Sequence, residues 1–186
     1  MWVYEKRLQY PVNVTKKDVR MAKFIVTQYG GPDGELAAAL RYLNQRYTMP
    51  DDYGKALLTD IGTEELAHVE MINTMLVQLT KDATLEELEA VGLGGHYTQH
   101  GFSIFPTDAN GVPFATKYFQ DLGDWRTNLY ENMAAEQKAR STYEHLIDLA
   151  KDPAVIDPLL WLRQREIIHF NRFRELLEHY ERLGIK

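Results

Sequence analysis

Four glutamates and two histidines in this chain have the spacing needed to hold a pair of metal ions. Glu35 stands alone, and 30 residues later Glu65 opens the run Glu65-Leu66-Ala67-His68. Glu136 also stands alone, and 30 residues on Glu166 opens Glu166-Ile167-Ile168-His169. On an α-helix residues i and i+3 share a face, so each Glu-x-x-His run can offer one oxygen and one nitrogen to a single ion. A lone carboxylate on one helix and Glu-x-x-His on the next, written twice, is the ligand pattern of a carboxylate-bridged dimetal site in a four-helix bundle. Carboxylates can bridge two cations, and imidazole suits manganese or iron, whereas calcium or magnesium alone would not call for two histidines.

The bland alternative is a pair of solvated helix faces, since one Glu-x-x-His arises readily by chance. Repetition at one pitch argues against it. So do the largely apolar neighbours Leu66, Ala67, Val69, Ile167, Ile168 and Phe170, which are expected to turn both segments inward. A buried carboxylate without a partner is very costly, and a metal-bound one is satisfied. Tyr42 lies seven residues, about two turns, after Glu35 and shares its face; it either packs in the core or hydrogen-bonds the cluster. His96 and His100 read as loop histidines near the surface, and His145 and His179 as exposed. Glu64, Glu70, Glu86, Glu87 and Glu89 read most simply as solvated acids, and Tyr118, Phe119, Trp125, Tyr130, Trp161 and Phe173 as core or subunit contacts.

The elements that must carry these residues are helices. A short helical stretch is expected from about Lys16, ended by Gly30-Gly31-Pro32. Asp33 or Gly31 can then cap a helix running to about Tyr47, with Leu36, Ala39, Leu40 and Leu43 at helical spacing. Pro50-Asp51-Asp52 starts a second long helix reaching about Leu79. Thr84 to Val91 fits one short helical turn, and Gly92 to Pro113 shows neither strand nor helix period. A loop of this length is usually functional, and here it supplies the one long crossover that a bundle with parallel second and third helices requires. The third long helix is expected from about Gly123 to Ala150, ended by Asp152-Pro153, and the fourth from near Asp157-Pro158 to Gly184. The fold class is therefore all-α, a ferritin-like four-helix bundle. Residues 1–186 form one domain, because each half supplies only half of the ligands.

Composition bounds the rest. With 186 residues and 45% hydrophobic content the chain can bury a substantial core, and no apolar run approaches the ~20 residues of a membrane span. Its first seven residues lack a secretory layout, so synthesis in the cytosol is expected. A net charge of −6 argues against nucleic acid as a partner, although part of that acid belongs to the interior. The absence of cysteine excludes thiolate zinc sites, iron–sulfur clusters, a rubredoxin-type appendage and cysteine nucleophiles.

At these residues the chain resembles the manganese catalases. The resemblance rests on Gly30-Gly31-Pro32-Asp33-Gly34-Glu35-Leu36, on Gly62-Thr63-Glu64-Glu65-Leu66-Ala67-His68-Val69-Glu70 and on Asp108-Ala109-Asn110-Gly111-Val112-Pro113-Phe114. It continues through Asn132-Met133-Ala134-Ala135-Glu136 and Arg165-Glu166-Ile167-Ile168-His169, covers nearly the whole chain, and is nearest to the short spore-coat branch. It implies a dimanganese catalase converting hydrogen peroxide to water and dioxygen. Glu35 and His68 would serve one manganese, Glu136 and His169 the other, and Glu65 would bridge them. By the same resemblance Glu166 is a general acid/base beside the metals, whereas the generic di-iron pattern makes it a second bridge; both roles stay open. Tyr42 matches a tyrosine that supports the family's cluster. The resemblance further implies a homo-oligomer, hexameric in the longer enzymes, and a place in the spore coat with coat proteins as partners; the location is otherwise cytoplasmic. The longer enzymes carry a C-terminal extension that wraps neighbouring subunits. This sequence stops at Lys186, which leaves hexamer assembly and closure of the channel open. Two rival readings remain: a di-iron peroxidase or ferroxidase on the same bundle, and a spore-coat protein whose metal site is mainly structural.

Overall fold

The computed structural model describes residues 3, 5 and 7–185; the opening stretch read above as non-secretory lies partly outside them, as does Lys186. Helix α1 spans Val19–Gly30, with Asp18 accepting from the Met21 amide at its start, a few residues later than the expected start near Lys16. The arm before it is extended. Gln78 holds this arm on both sides, accepting from the Val14 amide and donating to the Val12 carbonyl.

Helix α2 spans Glu35–Gln45 and its amino-terminal cap is Gly34, not Asp33 or Gly31; no side chain caps it. The break between α1 and α2 has two causes. Pro32 cannot donate an amide hydrogen bond, and Gly30 lies against the backbone of Pro106 and Thr107, where any Cβ would collide. The crossover thus passes over the break. After a 3-10 turn at Arg46–Thr48, α3 runs over Asp52–Leu79, with Asp51 accepting from the Gly54 amide.

Helix α4, Leu85–Ala90, opens with a reciprocal Thr84/Glu87 capping box. Helix α5, Gly94–His100, lies inside the segment expected to be loop. Its two glycines disfavour a helix; ring contacts support it instead, with His100 stacked on Phe105 at 4.0 Å and Tyr97 edge-on to Phe102 at 5.0 Å. A single bridge between Thr107 and Pro113 and a 3-10 turn over Thr116–Tyr118 complete the crossover.

Helix α6 spans Trp125–Leu149 and α7 spans Pro153–Arg182. The fourth long helix begins a turn earlier than expected. Asp152 caps it by accepting from the Ala154 amide, and Pro153 takes the first helical position, where its missing amide costs nothing. Pro158, expected at the start, sits inside α7 and is buried.

Helices α2 and α3 form one antiparallel pair and α6 and α7 the other, with α1 packed on α3. Together they form the ferritin-like bundle. Its apolar core is split in two. One cluster gathers Met21, Ile25, Met75, Leu146 and Leu159; the other gathers Leu58, Ile61, Leu129, Phe173 and Leu176. Along α3, α6 and α7, the predicted ligands fall between the residues of these two clusters. Among the described residues, no helix is long and apolar enough to cross a membrane.

The contact at Gly30 is testable. Gly30→Ala forces the crossover backbone away from the α1–α2 break and should cost about 1–3 kcal/mol, measured as a lower urea midpoint with unchanged helical circular dichroism.

Candidate metal centre

Each predicted ligand is carried on a long helix, and the bundle brings all six together. Glu35 opens α2, Glu65 and His68 sit mid-way along α3, Glu136 on α6, and Glu166 and His169 on α7. All six are at most 2% exposed. Their donor atoms form two overlapping groups, Glu35–Glu65–His68–Glu166 and Glu65–Glu136–His169, with atoms in each within 4.8 Å of one another.

Glu65 is common to both groups, and its two oxygens divide between them. Its Oε2 lies 2.7 Å from His68 Nδ1, and its Oε1 lies 2.8 Å from His169 Nδ1. The two imidazoles run nearly parallel, 5.6 Å apart at 17°. Glu166 belongs to only one group, so the equivalent place in the second half does not give it an equivalent position.

The donor set fits two divalent cations. Both oxygens of Glu65, one each of Glu136 and Glu166, and His169 Nδ1 are buried without a hydrogen-bond partner. Leaving that many polar atoms unsatisfied in an apolar interior is strongly unfavourable. Without a cation, protons take up the imbalance. Burial, and then the Glu65 charge, push Glu35 up to about 7. Burial, with Glu35, Glu136 and Glu65 around it, holds Glu166 well above the usual carboxylate range. Burial works against charge on Glu65 and on both histidines, but their mutual attraction wins. Glu65 is held low, and His68 and His169 are held high.

Two tyrosines cross between the halves. Tyr42 on α2 donates not to Glu35 of its own helix but to Glu136 on α6. Tyr143 on α6 donates to Glu35. Each tyrosine follows the lone glutamate of its own half by seven residues and serves the other half's. Tyr143 was missed in the sequence, although the Glu35-to-Tyr42 offset, applied to Glu136, points to it. Burial and the adjoining carboxylates raise both hydroxyls well above the tyrosine range, so both remain donors.

Glu64 was read as a solvated acid, and the structure corrects this. Its side chain is only 13% exposed and lies behind both imidazoles. His169 Nε2 is 3.0 Å from Glu64 Oε2, and His68 Nε2 is 3.7 Å from Oε1. A carboxylate only accepts, so Nε2 of His169 carries a proton, and a cation bound in the cluster would take the Nδ1 lone pair. Arg165 holds Glu64 with two bonds of 2.7 and 3.1 Å, and Gln9 of the amino-terminal arm adds a third at 2.7 Å. Burial opposes the charge on Glu64, but the bonds from His169 and Arg165, with His68 close by, keep it ionised. Adjacency to Glu65 concealed it in the sequence, because consecutive helical residues point about 100° apart; here the histidines' outer face turns toward that second direction.

The other readings fare unevenly. Leu66, expected to turn inward, is 43% exposed, so the ligands face the core while their apolar neighbours take the flanks. His145 is exposed, but His179 is half-buried and its ring lies 5.6 Å from that of Tyr53. His96 and His100 lie on α5, away from the cluster. A narrow cleft reaches Glu136 and Glu166, walled by Pro32, Gly34, Ala38, Ala135 and Ala139 with Arg41 and Tyr42.

Comparison with known proteins gives a consistent result. A profile for manganese containing catalase matches residues 1–183. The chain is 59% identical over 178 residues to Protein CotJC of Bacillus subtilis, covering 96% of this chain and 94% of that protein. It is 33% identical to a probable manganese catalase of Clostridium acetobutylicum, covering 99% of this chain and 83% of the other. The crystal structure of KatB, a manganese catalase from Anabaena, superposes with a TM-score of 0.85 at 31% identity, over 96% of this chain and 80% of that one.

Two outcomes follow from the geometry. Glu64→Gln should weaken manganese binding about 10–100-fold in chelator competition, while Glu86→Gln on the exposed face of α4 leaves it unchanged. The second concerns pH. Glu35, raised from 4.5 to about 7, and Glu166, His68 and His169, also raised, hold protons more tightly folded than unfolded. Their contribution is whole at low pH and is lost as pH rises through the folded values. Glu64 and Glu65, lowered, contribute above their ordinary value of 4.5 and lose that on acidification. Metal-free protein should therefore show its highest urea midpoint near its carboxylates' ordinary value of about pH 4.5, falling toward pH 7 and lower still at about pH 8.5, and manganese should restore the alkaline value.

Proposed function

Because the chain belongs to the family of manganese-containing catalases, we propose that its buried cluster disproportionates hydrogen peroxide to water and dioxygen. The observation that carries this reading is the sharing of Glu65 between two buried donor groups, each with one imidazole. Glu35 and His68 would hold one manganese, Glu136 and His169 the other, and Glu65 would bridge them. Bound there, the metal pair would supply two-electron redox capacity, matching the two-electron change in each half of the reaction.

The chain's own residues supply position and protons. Tyr42 and Tyr143 fix one oxygen each of Glu136 and Glu35, which leaves the other oxygen of each free to face the cluster. Glu166 Oε1 is buried without a partner beside that cluster, and its neighbours favour the protonated form. It can give a proton to a departing oxygen and take one from an incoming peroxide. Glu166 is therefore a general acid/base here in preference to a second bridge, because it joins only one donor group. The cleft is narrow and walled mostly by small side chains, which suits a small substrate.

Residues 1–186 act as one ferritin-like dimetal domain. The family resemblance supports a homo-oligomer, with a hexamer as the family's larger form. Resemblance to the spore-coat branch and the likeness to Protein CotJC support a place in the spore coat beside other coat proteins.

One sample tests the reading: metal content, oxygen evolved from peroxide, and particle mass after native purification. The expected result is two manganese per chain and rapid oxygen release; iron with no oxygen would overturn it. Glu166→Gln should keep its manganese and lose about 100-fold or more of the rate.

A further inference from the structure

The cleft that reaches the cluster is lined by a cationic side chain with one unpartnered N–H. Arg41 stands on α2, six residues beyond Glu35, and is 4% exposed. One terminal nitrogen donates to the Tyr118 carbonyl at 2.7 Å, which ties it to the crossover. Its Nε is buried and has no hydrogen-bond partner. A guanidinium cannot shed its charge, so a buried N–H of this kind calls for an acceptor.

Arg41 lines the cleft together with Tyr42, Glu136 and Glu166. Gly34 lines it too, and no side chain caps the amino end of α2 there. Free amides at a helix start favour an electron-rich guest. Asp33, the acid at this mouth, is paired with Lys138 at 2.6 Å and so does not need Arg41. The result is a donor-rich hollow one step short of the cluster.

We propose that Arg41 Nε and the amino end of α2 form a holding site for a small electron-rich ligand, hydrogen peroxide on its way to the metals. The identity of the ligand rests on the catalase reading; the site itself rests on the cleft. No bond is made or broken there. Arg41 positions the substrate and takes no part in proton transfer.

The test uses manganese-loaded wild type, Arg41→Met and Arg41→Lys, with melting temperature and metal content compared first. Loss of one hydrogen bond to a charged group should raise KM for peroxide about tenfold or more in Arg41→Met, with kcat nearly unchanged. If Arg41→Met does not fold, Arg41→Lys, which keeps the charge but lacks Nε, is read in the same way. Bromide serves as the structural probe: crystals soaked in it should show anomalous scattering within hydrogen-bond distance of Arg41 Nε in wild type and none there in the variant. An unchanged KM overturns the proposal, whether or not bromide binds, because the site would then lie off the substrate's path. A cleft without bromide in wild type overturns it as well. Should wild type evolve no oxygen at all, the catalase reading falls, and the bromide position alone decides whether the Arg41 site exists.

Discussion

The rest of the structure depends on holding four carboxylates and two imidazoles away from water. They lie between two apolar clusters, and all are essentially inaccessible. Such a group of charges repels itself and loses hydration, so it persists only if cations or protons balance it and every remaining lone pair finds a donor. That requirement accounts for otherwise unconnected details: hydroxyls aimed at carboxylates, a carboxylate clamped behind imidazoles, and a break in the first arm that lets Glu35 open α2.

Within this arrangement the two halves of the chain are alike in sequence and unlike in chemistry. Glu65 and Glu166 each open a Glu-x-x-His run. Glu65 lies between the two histidines and is stabilised as an anion by both. Glu166 sits to one side, surrounded by acids, and favours its proton. A difference in electrostatic surroundings of this kind gives two carboxylates in matching places opposite preferences for their proton.

Much of this was legible in the residues. The 30-residue pitch located all six cluster residues, and capping signals placed α3 and α6 to within a few residues. The misses share a cause. Tyr143 and Glu64 make their hydrogen bonds to partners across the bundle, and spacing along one helix does not show which partner a side chain meets. Asp152-Pro153 reads equally well as a stop or a start, and only the Ala154 amide donating to Asp152 decides it. Helix α5 is held by ring contacts rather than by period or propensity, so no window of sequence shows it.

The crossed tyrosines bear on how the protein matures. As the chain leaves the ribosome, the α2–α3 pair emerges with Glu35, Glu65 and His68 but without Tyr143, Glu136 or His169. Only after the crossover is made and α6 has docked on α2 does each lone glutamate receive its hydroxyl. Neither hairpin holds both donor groups by itself, so the full cluster exists only where the two hairpins meet. The first hairpin alone therefore carries only three of the six cluster residues, and tertiary docking completes the set.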